Sequence, residues 1–210
     1  MKLHGYWRSS SSYRVRIALN LKGVPHDLAP VNLLAQEQLG AAYAALNPAK
    51  GVPALEFDDG TVLTQSMAIL EWLDEAWPAP ALLPGDLWSR AKVRAAAMVI
   101  ATEIHPVNNL RVLNRLKSMG HDATATRDWM SHWMTEGFQA FDRLIDSEGA
   151  FCFGTAPGLA DICLVPQLYN ARRWGVDLSA WPRLGEIEAR CLALPAFNTA
   201  RPETQPDATL

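Results

Sequence analysis

A proline-rich break divides the sequence into two parts with different patterns. Residues 77–85 read Trp-Pro-Ala-Pro-Ala-Leu-Leu-Pro-Gly, and three prolines in nine residues disfavour both helix and strand. Before this break, short strand and helix patterns alternate; after it, every periodic segment is helical. The break therefore predicts a linker between two domains. We place the first domain at residues 1–80 and the second at residues 87–210.

The first part carries the element order βαβαββα. Gly23 and Pro25 are stop signals after the first helix, and Asp59-Gly60 between two apolar runs indicates a hairpin. The predicted strands cover residues 3–7, 27–32, 52–57 and 61–64, and the predicted helices cover residues 13–22, 36–46 and 67–76. This order predicts a thioredoxin-like domain followed by an all-α domain, which is an α/β plus all-α fold class. The predicted helices of the second part are residues 87–117, bent near Pro106, and residues 123–146, 159–174 and 181–194.

Charge and composition exclude several classes of partner. A net charge of −3 gives no basis for binding nucleic acid. No run of about 18 apolar residues exists to span a membrane, and the first residues lack the apolar run of a signal peptide, so we expect a cytoplasmic protein. The three cysteines and five histidines have no metal-ligand spacing, and we expect neither a metal site nor a disulfide framework.

Residues 9–12 are four consecutive serines between the first predicted strand and helix. A helix N-terminus offers backbone N–H groups and about half a positive charge, which favour an anion. A thiolate there would have a lowered pKa, and a serine hydroxyl could donate to it. Because this region contains no cysteine, the thiol would come from a ligand. The alternative is that the serines only cap the helix.

Three further positions each allow two interpretations. Pro53 either opens a strand as an ordinary trans proline or forms a cis bond that presents the Val52 backbone to a ligand. Ser66 either caps the next helix or binds a ligand carboxylate there. His105, directly before Pro106, either satisfies polar groups at the bend or contacts a substrate.

A series of short motifs follows in a characteristic order and spacing. They are residues 6–14 (Tyr-Trp-Arg-Ser-Ser-Ser-Ser-Tyr-Arg), 46–48 (Leu-Asn-Pro), 52–55 (Val-Pro-Ala-Leu), 65–69 (Gln-Ser-Met-Ala-Ile), 104–109 (Ile-His-Pro-Val-Asn-Asn), 159–161 (Leu-Ala-Asp), 164–167 (Leu-Val-Pro-Gln), 172–178 (Arg-Arg-Trp-Gly-Val-Asp-Leu) and 205–207 (Gln-Pro-Asp). Together they resemble the zeta-class glutathione transferases, which include maleylacetoacetate isomerases and bacterial maleylpyruvate isomerases. The resemblance covers nearly the whole chain.

The resemblance implies a glutathione-transferase fold, with a thioredoxin-like glutathione-binding domain and a helical-bundle domain that binds substrate. It also implies a homodimer and a cis bond at Val52-Pro53. The implied glutathione-binding residues are Ser9, Ser10, Ser11, Arg14, Gln38, Val52, Pro53, Gln65, Ser66, His105 and Asn109. The three serines and Arg173 are the implied catalytic residues, with Arg173 near the reacting double bond.

The implied activity is the glutathione-dependent cis–trans isomerisation of maleylacetoacetate to fumarylacetoacetate, a step of tyrosine and phenylalanine catabolism. The glutathione thiolate adds to the cis double bond, the resulting single bond rotates, and elimination gives the trans isomer. A guanidinium suits both substrate carboxylates and charge developing on the substrate. Arg173 and Arg8 are therefore the main candidates for binding this dicarboxylate, followed by Arg111.

Other functions stay open at this point. The substrate could be maleylpyruvate of the gentisate pathway, or the chain could conjugate glutathione to haloacids and other electrophiles. A third possibility is a binding protein without catalysis, since fold alone does not determine function. A thioredoxin oxidoreductase is disfavoured because the sequence has no Cys-x-x-Cys.

The sequence departs from the family pattern at two positions. Many members have Ser-Ser-Cys where this chain has Ser9-Ser10-Ser11, so peroxidase-like reactions of that cysteine are not expected here. The isomerase is less affected, because its nucleophile is the glutathione thiolate. Gly158 stands where Thr or Ser precedes the buried aspartate, so a capping box with Asp161 lacks its side-chain partner.

Overall fold

The computed structural model describes residues 1–208, which form two compact units. Unit 1 comprises Met1–Ala81 and the chain from Ala193 onward, and unit 2 comprises Leu82–Leu192. The boundary at Ala81 lies within the predicted linker. The return of the C-terminal segment to unit 1 differs from our division, which assigned residues 87–210 to one helical domain.

Hydrogen bonds between residues far apart in the sequence explain why the C-terminal segment returns to unit 1. On α1 (Ser10–Lys22), the Arg16 Nε donates to the Ala200 carbonyl at 3.0 Å, and the Asn20 side-chain amide donates to the Ala196 carbonyl at 3.1 Å. The short helix α10 (Pro195–Asn198) is thereby attached to α1. Such contacts leave no local pattern, because the partners are separated by more than 170 residues.

Unit 1 contains the predicted mixed sheet with strand order β2-β1-β3-β4. The strands are β1 (Lys2–Gly5), β2 (Asp27–Pro30), β3 (Ala54–Glu56) and β4 (Val62–Thr64). The central strand β1 pairs parallel with β2 and antiparallel with β3, which places Leu3 beside Leu55. Both leucines are buried, so this register puts the apolar face of the sheet in the core of unit 1.

Three longer helices complete the predicted order βαβαββα of unit 1: α1, α2 (Ala41–Leu46) and α3 (Ser66–Ala76). Single 3₁₀ turns cover Glu37–Leu39 and Pro202–Thr204. Helix α1 begins three residues before the predicted start, because the Ser9 Oγ accepts the Ser12 N–H at 3.2 Å and caps it.

A buried lysine fixes the end of α3 and the start of the linker. The Lys22 Nζ donates to the Asp74 carboxylate at 2.7 Å and to the carbonyls of Trp77 and Pro80 at 2.5 and 2.6 Å. The Lys22 side chain is fully buried, and its three donors are all used. The linker therefore begins as an ordered segment of unit 1.

Unit 2 is helical throughout, as predicted. Its elements are α4 (Leu87–Met98), a π-helical segment (Val99–Ile104), α5 (His105–Val107), α6 (Leu110–Ser118), α7 (Ala123–Leu144), α8 (Leu159–Trp174) and α9 (Pro182–Leu192). The bend predicted near Pro106 takes the form of the π-helical segment before it and a break at residues 108–109. Phe138, Phe141 and Leu164 are fully buried in the core of this unit.

Residues 1–208 contain neither a membrane-spanning helix nor a metal-binding cluster of side chains. No helix there has the combination of length and apolar content that crossing a membrane requires. Within the same residues, no three His, Cys, Asp or Glu side chains are grouped so that they could hold a metal ion.

Candidate functional site

The serine turn, residues 9–12, lies at the start of α1 and is tied together by its own hydroxyl groups. The Ser9 Oγ and Ser11 Oγ are 3.0 Å apart, and the Ser12 Oγ accepts the Tyr6 N–H at 3.4 Å. Ser10, Ser11 and Ser12 are buried, whereas Ser9 is half-buried. Part of the turn thus serves as a helix cap, as the simpler interpretation holds.

The turn is also connected to the loop before β3. The Ser11 hydroxyl donates to the Val52 carbonyl at 2.9 Å, which joins two predicted site residues 41 positions apart. The Val52-Pro53 bond is cis, as the resemblance implies, and Pro53 is buried. Since the Ser11 proton goes to Val52, the hydrogen between the two hydroxyls comes from Ser9. Both hydroxyl hydrogens therefore already have acceptors within the turn and its neighbouring loop.

The start of α3 brings three more predicted residues together. The Arg14 side chain is buried, and its Nη1 donates to the Ser66 Oγ at 3.4 Å. Ser66 is the first residue of α3, and the N-cap is Gln65, with φ 71° and ψ 115°. The interpretation of Ser66 as N-cap is therefore wrong, because the chain turns one residue earlier. A non-glycine residue with positive φ is strained, and such residues concentrate at ligand sites.

Gln38 lies in the 3₁₀ turn after β2 and carries an unsatisfied group. Its side-chain Oε1 is buried and accepts no hydrogen bond from the part of the chain that the structure describes. A buried acceptor without a donor costs about 1–3 kcal/mol, so such atoms point to a ligand or a water.

Arg8, directly before the serine turn, is held against aromatic rings. Its guanidinium carbon lies 4.6 Å from the centroid of the Trp7 ring, and its Nη2 is 3.5 Å from the Tyr6 hydroxyl. The Nε is buried and has no hydrogen-bond partner among residues 1–208. A guanidinium with an unsatisfied donor is a suitable receptor for a carboxylate.

The predicted site residues of unit 2 lie at the bend and near the end of α8. His105 begins α5 and is half-buried, and the Asn109 side chain caps α6 by accepting the Arg111 N–H at 3.2 Å. The Arg111 side chain is exposed, as is Arg173 in the last turn of α8.

Arg172, next to Arg173, has a structural partner. It forms a bidentate ion pair with Glu188 of α9, and this hydrogen bonding raises the pKa of the Arg172 guanidinium. The pair attaches α8 to α9.

One polar residue at the bend, Asn108, was not among the site residues predicted from the sequence. Both the Nδ2 and the Oδ1 of Asn108 are buried, and neither has a hydrogen-bond partner within the described residues 1–208. Its only signal was its position beside Asn109 in the motif at residues 104–109.

The three cysteines are buried in unit 2. Burial raises the pKa of the Cys152 thiol well above its usual value, and the pKa of Cys191 is raised for the same reason. A thiol with a raised pKa carries little of the nucleophilic thiolate. Neither Cys152 nor Cys191 therefore offers an activated thiol.

Asp161 and Gly158 at the start of α8 form half of a capping box. The buried Asp161 carboxylate accepts the Gly158 and Cys152 N–H groups, each at 2.9 Å. Glycine supplies no side chain in return. A Cβ at position 158 would lie 2.9 Å from the Leu82 carbonyl oxygen, which already accepts the Leu159 N–H. This close approach explains the glycine that departs from the family pattern.

The chain is similar to known proteins along nearly its whole length. Residues 8–76 match the family model for the glutathione S-transferase N-terminal domain. The chain is similar to maleylacetoacetate isomerase of Pseudomonas aeruginosa, with 50% identity over 99% of this chain and 98% of the relative.

Two solved structures extend the similarity to the fold. A holo structure of maleyl pyruvate isomerase, a bacterial zeta-class glutathione transferase, has a TM-score of 0.96 and 46% identity over 100% of both chains. The maleylacetoacetate isomerase of Anaeromyxobacter dehalogenans 2CP-1, with dicarboxyethyl glutathione and citrate bound in its active site, has a TM-score of 0.89 and 47% identity. That alignment covers 100% of this chain and 97% of the other. The predicted glutathione-transferase fold is thereby confirmed.

Proposed function

Because the chain belongs to the zeta-class glutathione transferases, we propose that it is a glutathione-dependent isomerase that converts maleylacetoacetate to fumarylacetoacetate. The observation that carries this proposal is the serine turn at the start of α1, connected to the Val52 carbonyl by Ser11. The full-length similarity to a maleylacetoacetate isomerase supports the choice of reaction. Such an activity belongs to tyrosine and phenylalanine catabolism.

The residues of unit 1 fit glutathione chemically. The N-terminal end of the 13-residue helix α1 favours a thiolate over a thiol, since the helix dipole is positive there. The unsatisfied Gln38 Oε1 can accept a hydrogen from an ammonium or amide of the tripeptide. Gln65 and Ser66 at the start of α3 suit a carboxylate, with the buried Arg14 behind them. The glutathione-binding residues proposed in unit 1 are Ser9, Ser10, Ser11, Arg14, Gln38, Val52, Pro53, Gln65 and Ser66, and the family resemblance adds His105 and Asn109 of unit 2.

The chemistry that bound glutathione supplies is a thiolate that adds reversibly to the cis double bond and lets it rotate before elimination. The protein's own part is to stabilise the thiolate and to hold the substrate. At the start of α1, backbone dipoles lower the pKa of a thiol docked there. In this proposal Ser11 orients the Val52 carbonyl, and Ser9 keeps α1 capped at the point where the thiolate sits.

The arginines meet the negative charge of the substrate. Arg8, stacked on Trp7 with its Nε unsatisfied, is proposed to bind one substrate carboxylate. Arg173 is proposed to stabilise charge that develops on the substrate carbonyl oxygen during addition, and Arg111 to assist in binding carboxylate. A fixed cation near a developing anion lowers the barrier more than one that must reorganise.

A second substrate is favoured by one observation. The structure of a maleyl pyruvate isomerase matches this chain with a TM-score of 0.96, so maleylpyruvate is the alternative substrate. It presents the same cis double bond and carboxylates. Conjugation of haloacids or other electrophiles would use the same turn but consume glutathione.

We further propose that the protein is a cytoplasmic homodimer. The three cysteines are buried and none is part of a disulfide within residues 1–208, which suits a reducing compartment. The dimer follows from the family resemblance, and light scattering coupled to size-exclusion chromatography tests it: a mass near twice 23.1 kDa is expected.

The decisive experiment measures isomerisation of enzymatically generated maleylacetoacetate and maleylpyruvate in parallel, with glutathione at a catalytic concentration. Many turnovers per glutathione are expected, and the faster reaction identifies the preferred substrate. Omission of glutathione should abolish both. If neither substrate is converted although glutathione binds, the isomerase proposal is wrong, and conjugation assays with haloacids decide the alternative.

A further inference from the structure

The backbone of Trp7 is held from both sides by residues distant in the sequence. The Trp7 N–H donates to the Asp207 carboxylate at 3.0 Å, and the Trp7 carbonyl accepts from the Arg16 Nη2 at 2.9 Å. Arg16 is itself buried and bound through its Nε to the Ala200 carbonyl. Both polar groups of one residue are therefore fixed by α1 and the C-terminal segment, residues 199–208.

The C-terminal segment is in turn locked by Gln205. The Gln205 Nε2 donates to the carbonyls of Thr199 and Arg201 at 3.0 and 2.7 Å, and Gln205 is buried. This folds the segment back on itself and presents Asp207, two residues on, to the Trp7 N–H. The closing Gln-Pro-Asp motif thus has a definite contact with the loop before the serine turn.

Trp7 supports the guanidinium of Arg8. The cation lies 4.6 Å from the ring centroid, within the range of about 6 Å in which a ring face attracts a cation. Trp7 is only 6% exposed, so its ring has little freedom to follow a displaced Arg8. The direction in which Arg8 presents its donors therefore depends on where the Trp7 backbone is held.

We propose that Asp207 is a positioning residue for Arg8, through which it sets the affinity for the substrate's carboxylates. The carboxylate of Asp207 fixes Trp7, Trp7 fixes the plane of the Arg8 guanidinium, and Arg8 binds the dicarboxylate. The inference rests on the proposed function, which assigns Arg8 to the substrate. Bidentate binding of a carboxylate requires the guanidinium plane to be aligned, so a small rotation of Trp7 weakens it.

The test compares two ligands that share the tripeptide and differ in carboxylates. Glutathione reports on the glutathione site alone, and dicarboxyethyl glutathione adds two carboxylates, one of which Arg8 is proposed to bind. Calorimetry gives both dissociation constants for the wild type, Asp207→Ala, Arg8→Ala and the double variant. Asp59→Ala is the matched control, since its exposed carboxylate accepts the Thr61 N–H at 2.9 Å in the β3–β4 hairpin.

Asp207→Ala is expected to raise the dissociation constant of dicarboxyethyl glutathione about tenfold and to change that of glutathione by less than about twofold. In the Arg8→Ala background, the same substitution should have no further effect, because the two residues act in series. Asp59→Ala should change neither constant. Asp207→Asn, whose amide oxygen still accepts the Trp7 N–H, should bind both ligands as the wild type does.

Four results would overturn the inference. Equal weakening of both ligands by Asp207→Ala would mean that Asp207 supports the glutathione site as a whole. Additive effects of Asp207→Ala and Arg8→Ala would separate the two residues. Failure of Asp207→Asn to restore affinity would exclude the hydrogen bond as the cause. A wild type that binds dicarboxyethyl glutathione no more tightly than glutathione would instead sink the dicarboxylate role of Arg8, and the inference with it.

Discussion

The carboxylate of Asp161 is buried in the core of unit 2, and replacing it should lower the free energy of unfolding by several kcal/mol. Asp161 is 1% exposed and accepts the Cys152 and Gly158 N–H groups at 2.9 Å. Hydrogen bonds to charged groups contribute about 1.5–3 kcal/mol each, which gives about 3–6 kcal/mol for two. Burial raises the pKa of Asp161, so the ionised group is partly desolvated and the lower half of that range applies. We expect Asp161→Ala to lower the free energy of unfolding by about 3–4 kcal/mol.

Urea denaturation followed by tryptophan fluorescence measures this loss, and an exposed cap provides the control. Asp122 caps α7 by accepting the Ala125 N–H at 2.8 Å, and its carboxylate is exposed. Asp122→Ala should therefore cost about 1 kcal/mol. Asp161→Asn keeps one acceptor oxygen and should fall between. If Asp161→Ala costs no more than Asp122→Ala, burial does not amplify the loss and the reasoning is refuted.

Two further predictions concern the serine turn and the thiols. Ser11→Ala removes the donor to the Val52 carbonyl, so KM for glutathione should rise about tenfold. The control is Ser118→Ala, which removes an exposed hydroxyl that donates to a carbonyl at 2.7 Å and should leave KM unchanged. Because the Ser11 proton is directed to Val52, the pH midpoint of kcat should not move, and a shift of that midpoint would show that Ser11 donates to the thiolate instead. Burial and a raised thiol pKa protect Cys152 and Cys191 from alkylation. Iodoacetamide should therefore leave the native enzyme active and alkylate all three cysteines only after unfolding. Rapid inactivation of the native enzyme would contradict this.

The sequence alone determined the element order and the division at the linker. The reason is that hydrophobic period, turn chemistry and proline placement are local properties, which survive whatever the rest of the chain does. The stop at Gly23, the hairpin at Asp59-Gly60 and the bend near Pro106 all appear where these signals stand. The family motifs added the cis bond at Val52-Pro53, which the general preference of X–Pro bonds for the trans form disfavours.

Only the tertiary structure decided which groups meet. The sequence around Ser11 does not indicate that its hydroxyl donates to the Val52 carbonyl, and the sequence around Gly158 does not indicate that the Leu82 carbonyl lies beside it. Likewise, the sequence around Trp7 does not indicate that its N–H donates to Asp207. The chain from Ala193 onward also joined unit 1 only through such contacts. A hydrogen bond between residues 41 or 200 positions apart depends on how the elements pack, and packing is a property of the folded chain as a whole.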